Sequence, residues 1–98
     1  MKREVYLTIL YDYYEALLTD KQRQYFTSYY FDNLSFGEIS ENFGVSRNAI
    51  FKQIKTTQDK LLEYENVLKC YDKDEKIKKI IDLEGNEKIK EMLNDLIK

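Results

Sequence analysis

Apolar residues recur along most of this chain at the three- and four-residue spacing of α-helices, and no stretch alternates convincingly as a strand. Residues 5 to 18 are apolar nearly all round, which predicts a first helix buried on more than one side. Thr19 and Gln22 form a capping-box pattern that opens a second helix. That helix carries Tyr25, Phe26, Tyr29 and Tyr30. The pattern predicts an all-α protein.

The most informative stretch is residues 34 to 55, LSFGEISENFGVSRNAIFKQIK, which predicts two short helices joined by a tight turn. Ser35 and Glu38 repeat the capping-box pattern. Gly44 can take the left-handed conformation that ends a helix, and Ser46 is a strong N-cap for the next one. The side chains expected to face inward are Ile39, Phe43, Val45, Ile50 and Ile54. Together these features predict a helix-turn-helix motif.

The rest of the chain is predicted to be helical as well. The second motif helix should continue to about Tyr71, and Asp72 is the expected N-cap of the helix after it. Gly85 should stop that helix, and Asn86 should cap a last one. The last helix carries one apolar stripe of Ile89, Met92, Leu93, Leu96 and Ile97. We expect a single domain over residues 1–98, with the helix-turn-helix at about 35–60 and a C-terminal helical extension over 61–98.

A second motif helix docked in this way can present its first turns to a DNA major groove. The expected nucleic-acid-binding residues are Arg47, Asn48, Phe51, Lys52 and Lys55. Lys55 would lie nearer to phosphate and the other four nearer to base edges. Two alternatives stay open, because Arg47 could be a solvated first-turn residue and Phe51 could belong to the core.

The charge distribution neither favours nor excludes a nucleic-acid partner. The formal net charge is −2, yet residues 1 to 60 hold eight basic and eight acidic residues. Within residues 47 to 60 of the second motif helix, four cations meet only one acidic residue, Asp59. These cations are Arg47, Lys52, Lys55 and Lys60. A local basic face on an acidic protein is compatible with DNA binding but provides few phosphate contacts.

The motif residues also carry a resemblance to a known family. Residues 17 to 68 contain the elements Thr-x-Lys-Gln, Tyr-Tyr-x-Asp, Gly-Glu-Ile and Val-Ser-Arg-x-Ala. In these elements the chain resembles the YlxM family of small bacterial proteins, which is itself similar to region four of sigma factors. The resemblance implies an all-helical cytoplasmic protein regarded as a DNA binder. It also implies a role in the signal recognition particle pathway, because the family's genes commonly neighbour that of the particle's GTPase.

The chain departs from this family at two places. Phe51 and Lys52 stand where a Tyr-Asp pair is usual, and residues 55 to 58 read Lys-Thr-Thr-Gln where a basic Lys-Arg pair is expected. The loss of a basic residue there weakens the expectation of DNA binding more than it weakens the expected fold.

Catalysis finds little support in the composition. Histidine is absent, the single cysteine, Cys70, has no imidazole to activate it, and the three glycines are scattered. We therefore expect neither an enzyme nor a cofactor or metal site, and Cys70 is expected to be a half-buried thiol.

The apolar runs fall short of the roughly 18 residues of a membrane span. A single cysteine and no signal peptide pattern suit the cytoplasm.

Two functional hypotheses of different class follow. The first is a DNA-binding regulator, and the second is an accessory protein that contacts the GTPase or the RNA of the signal recognition particle without binding DNA. The tyrosines before Phe31 could stack on bases, although at helical spacing they fit a core or a subunit interface better. A homodimer is expected, through residues 5 to 18 together with Leu61, Leu62 and Leu68, of which Leu61 and Leu68 lie a heptad apart. The alternative is that the C-terminal helices fold back and cover this surface within one chain.

Overall fold

The computed structural model describes residues 1 to 97, and this part of the chain holds six α-helices and no strand. The helices are α1 Arg3–Tyr14, α2 Asp20–Tyr30, α3 Phe36–Phe43, α4 Arg47–Leu68, α5 Cys70–Leu83 and α6 Glu87–Asn94, with a short 3-10 helix at Glu15–Leu17 between α1 and α2. The prediction of an all-α fold is confirmed. The chain forms two compact units, Met1–Tyr64 and the residues from Glu65 onward.

The first unit has an apolar core drawn from α1 to α4. Its buried side chains are Leu7, Leu10, Tyr11, Tyr14, Leu18, Tyr25, Phe26, Ile39, Ile50, Ile54 and Leu61. Aromatic rings connect α1 to α2, since Tyr11 stacks on Phe26 with ring centroids 4.9 Å apart. Phe26 in turn stacks on Tyr30 at 4.4 Å. The aromatic residues of α1 and α2 thus form part of the core, as their helical spacing favoured.

Helix α1 buries a single side, which differs from the sequence prediction. Its buried residues fall on one face, whereas Val5 remains about half exposed. The helix also ends earlier than Leu18, because the backbone leaves the α conformation at Tyr14 and tightens into the 3-10 helix. Leu18, which follows the 3-10 helix, is buried, whereas Leu17 is exposed. An apolar sequence alone could not say which of these residues the core would take.

Both predicted capping boxes are present. The Thr19 hydroxyl accepts the backbone N–H of Gln22 at 3.2 Å, and the Gln22 side chain accepts the N–H of Thr19 at 2.9 Å. Ser35 and Glu38 make the same reciprocal pair at the start of α3, both at 3.1 Å. A cap of this kind contributes about 1 kcal/mol to helix stability. The four residues therefore fix where α2 and α3 begin.

Helix α4 ends at Leu68, three residues short of the predicted Tyr71. Lys69 has a left-handed backbone, with φ at 55°, and α5 starts directly after it. The predicted N-cap Asp72 is wrong, because Asp72 lies inside α5. The buried carboxylate of Glu65 does the capping instead, accepting the N–H of Tyr71 at 3.1 Å and that of Asp72 at 3.0 Å. This acceptor comes from the preceding helix, so the local sequence of α5 could not show it.

In the second unit, α5 and α6 contact each other. Asn86 caps α6 as predicted, since its side chain accepts the N–H groups of Lys88 and Ile89. Helix α5 ends at Leu83, two residues before Gly85. The predicted apolar stripe extends past the end of α6, because Leu96 and Ile97 follow Asn94. Leu93 and Ile97 are half-buried, whereas the other members of the stripe are exposed.

Two further expectations about burial need correction. Cys70 is exposed rather than half-buried, because it stands in the first turn of α5 with its side chain toward solvent. Leu61 is completely buried in the first unit, so it cannot form a dimer seam with Leu68.

The lysines of α5 lie on a solvent-exposed face, where Lys76 forms an ion pair with Asp72 at 3.0 Å and Lys78 forms one with Glu75 at 3.4 Å.

Candidate nucleic-acid interface

The turn between α3 and α4 has the geometry of a helix-turn-helix. Gly44 ends α3 in the left-handed conformation, with φ at 67° and ψ at 32°. Its N–H donates to the Ser40 carbonyl at 2.9 Å, and the N–H of Val45 donates to the same carbonyl at 3.3 Å. The Ser40 hydroxyl donates to the carbonyl of Val45. These bonds close the turn, and Val45 packs against the core as predicted.

Helix α4 begins at the predicted place. The N–H of Ala49 donates to the Ser46 hydroxyl at 3.1 Å, which makes Ser46 the N-cap. Ile50 and Ile54 are buried and pack with Ile39 and Tyr25. Phe43 makes a T-shaped contact with Tyr25, with the ring centroids 5.0 Å apart, but stays 37% exposed, so its predicted inward position is only partly right. These core contacts hold one side of α4 and therefore determine which of its side chains face solvent.

All five predicted interface residues lie on the solvent side of α4. At 3.6 residues per turn, these five positions span an arc of about 140° around the axis of α4. The buried residues Ile50, Ile54 and Leu61 lie outside this arc. The structure thus brings together on one exposed face Arg47, Asn48, Phe51, Lys52 and Lys55.

Arg47 lies closer to α3 than the sequence indicated. A Cβ atom at Gly37 would come within 2.9 Å of Nη2 of Arg47 and within 3.0 Å of its Cζ, so the guanidinium rests over the first turn of α3. Only a residue without a side chain allows this approach. The sequence did not indicate this role of Gly37, because its partner Arg47 lies ten positions further along the chain and in another helix.

Phe51 is neither a core residue nor a free one. Phe51 is 50% exposed, and its ring makes a T-shaped contact with that of Phe36, with the ring centroids 5.9 Å apart. Phe36 stacks in turn on Tyr29 at 4.9 Å. One part of the Phe51 ring is therefore anchored, and the remainder is available to a partner.

One acidic residue, Asp59, reduces the positive charge of this face. Lys55 pairs with Asp59 one turn further along α4, at 3.7 Å, with both side chains well exposed. Such a pair contributes about 0–1 kcal/mol, so Lys55 can leave it for a phosphate at little cost. The sequence had indicated Asp59 as the acidic residue among these cations.

Residues 1 to 97, the part of the chain that the structure describes, contain no group of three or more histidine, cysteine, aspartate or glutamate side chains that could hold a metal ion. None of the helices in this part is both long enough and apolar enough to cross a membrane.

Comparison with known proteins identifies the family. The profile of a family described as "Putative helix-turn-helix protein, YlxM / p13 like" matches residues 1–98, the whole chain. The chain belongs to the YlxM family. The motif seen at residues 35 to 60 is therefore the feature by which the family as a whole is described.

Relatives within the YlxM family extend over most of the chain. A UPF0122 protein of Geobacillus sp. strain WCH70 is 42% identical over 81 residues, covering 83% of this chain and 74% of the relative. A UPF0122 protein of Halalkalibacterium halodurans is 47% identical over 75 residues, or 76% and 69% of the two chains. A UPF0122 protein of Bacillus mycoides is 38% identical over 95 residues, or 97% and 82%. The similarity to the Bacillus mycoides relative thus reaches well beyond the helix-turn-helix.

Proposed function

We propose that this YlxM-family protein binds double-stranded DNA through the exposed face of α4 between Arg47 and Lys55. One observation carries the proposal: polar, cationic and aromatic side chains share one exposed arc while Ile50 and Ile54 anchor the other side of the helix. A helix held by a packed core presents its side chains in fixed positions, as recognition of base edges requires. The cytoplasm is the location that this function implies.

The charges set the expected strength of binding. Arg47, Lys52 and Lys55 are the cations of the exposed face, and Lys55 already has Asp59 as a partner. Three phosphate contacts give a slope of about −3 in a plot of log affinity against log salt concentration. We expect weak binding that is lost as the salt concentration rises toward the physiological range.

Fluorescence anisotropy with a labelled duplex at low salt tests the proposal. The double variant Arg47→Ala and Lys52→Ala should lose DNA affinity while keeping its melting temperature, because both side chains are exposed. The matched control is Lys76→Ala with Lys78→Ala, which removes the same charge from the exposed face of α5. Affinity that persists in the first variant, or falls equally in both, would refute the assignment of the interface.

A second candidate function is binding to a protein or RNA component of the signal recognition particle. Phe51 supports it, because a half-exposed aromatic ring one helical turn from an arginine is typical of protein interfaces. A pull-down from the native cell, with and without nuclease, separates the two candidates. Co-purification of the particle's GTPase that survives nuclease and is lost in Phe51→Ala would favour this second function.

A further inference from the structure

Phe51 differs from its four neighbours on the exposed face of α4, because it carries no hydrogen-bonding group. The other members of that face, Arg47, Asn48, Lys52 and Lys55, all end in polar or charged groups. Phe51 lies one turn after Arg47 and one turn before Lys55, about 6 Å along the helix axis from each. A half-exposed apolar ring therefore stands in the middle of an otherwise polar surface.

Contacts with α3 hold the ring of Phe51 in place. Phe36, which it meets in a T-shaped contact, stacks on Tyr29 and packs against the buried core of the motif. The guanidinium of Arg47 rests over Gly37, the next residue of α3. Two consecutive residues of α3 thus position two side chains of α4 that lie one turn apart. A side chain that is ordered before binding loses less conformational entropy when the partner arrives.

The base edges of a DNA major groove restrict what can face such a ring. All four bases present hydrogen-bonding atoms there, and thymine alone also presents a methyl group. A polar base atom covered by the ring loses its water and gains no hydrogen bond, which is unfavourable. The thymine methyl group, by contrast, gains from being removed from water. Stacking on a base face is not open to the ring, because the paired bases of a duplex expose only their edges.

We propose that Phe51 selects thymine, by packing its ring against the 5-methyl group of one thymine in the major groove. The inference rests on the DNA binding proposed above, and it adds a preference for an A·T pair at the position that Phe51 meets. Arg47 and Lys55, one turn to either side, contact neighbouring base and phosphate groups, and their contacts do not depend on the methyl group.

Two alternating duplexes that differ only in this methyl group test the proposal on the full chain. The first contains deoxyadenosine and thymidine, so that every base pair carries a methyl group whatever the register or orientation of the bound protein. The second contains deoxyuridine in place of thymidine. Burial of one methyl group strengthens binding about fourfold. We therefore expect about fourfold tighter binding of the thymidine duplex, measured by fluorescence anisotropy at low salt.

Variants of Phe51 assign this preference to the ring. Phe51→Gln should bind both duplexes equally, because its amide replaces the apolar contact, and glutamine favours the helix so that the fold is kept. Phe51→Leu should retain part of the preference, because leucine is also apolar. The matched control is Lys55→Ala, which removes a charge rather than apolar surface. It should weaken binding to both duplexes by the same factor and leave the preference unchanged.

The results distinguish a failure of this inference from a failure of DNA binding. A preference for thymidine that is lost in Phe51→Gln and kept in Lys55→Ala supports the selection of thymine by Phe51. Equal binding of the two duplexes by the native chain overturns that selection and leaves DNA binding in place. A preference that persists in Phe51→Gln belongs to the duplex itself and also overturns it. Binding of neither duplex overturns both proposals.

Discussion

Gly44 is the residue on which the motif's turn depends most directly. A Cβ atom at this position would meet nothing within 4 Å, so the cost of a side chain is purely that of the left-handed backbone. We expect Gly44→Val to lower the free energy of unfolding by about 1–2 kcal/mol, measured by thermal denaturation. Gly44→Asn should cost less, because asparagine tolerates this region. Equal stability of the valine variant and the native protein would show that the turn has another conformation.

Gly37 has a different role, because its Cβ space is taken by the guanidinium of Arg47. This guanidinium is the far end of a flexible side chain, so Gly37→Ala should displace it without unfolding α3. The alanine also favours the helix by up to about 1 kcal/mol. We expect an unchanged or higher melting temperature together with a shift of the Arg47 Nε–H resonance. A lower melting temperature would show that the contact between Arg47 and α3 supports the fold.

At the scale of the element, the start of α5 depends on Glu65. This carboxylate accepts two backbone N–H groups across the left-handed Lys69. We expect Glu65→Ala to destabilise the second unit by about 1–2 kcal/mol and to speed hydrogen exchange at the amides of Tyr71 and Asp72. The control is Glu63→Ala, two positions earlier on the same helix and exposed. Similar effects of the two variants would mean that Glu65 acts only through its charge.

At the scale of the whole molecule, we propose a homodimer. Val5 and Leu17, both in the segment predicted to form the interface, are 49% and 52% exposed, and exposed apolar surface is typical of an interface. Sedimentation equilibrium at micromolar concentration should give twice the monomer mass. Leu17→Lys should shift the mass toward the monomer, whereas Leu83→Lys, at an 88% exposed position in the second unit, should not. A monomer mass for the native chain would remove the dimer and any pairing of two recognition helices.

Much of the candidate site could be predicted from the sequence, because its signals are local. Capping boxes, the glycine turn and the Ser46 cap each join residues three to five positions apart, so the chain specifies them before any long-range packing. The exposure of Arg47 and Lys52 follows from the same register, since the positions of Ile50 and Ile54 fix which side of α4 faces solvent.

Only the tertiary structure decided the features that join distant residues. The single buried side of α1, the guanidinium of Arg47 over Gly37 and the contact of Phe51 with Phe36 each depend on elements that meet in space. The capping of α5 by Glu65 is similar, because its acceptor belongs to the preceding helix. Helical periodicity fixes which residues share a side, but burial is set by the neighbours that cover that side. The sequence therefore determined the motif, and packing determined its surroundings.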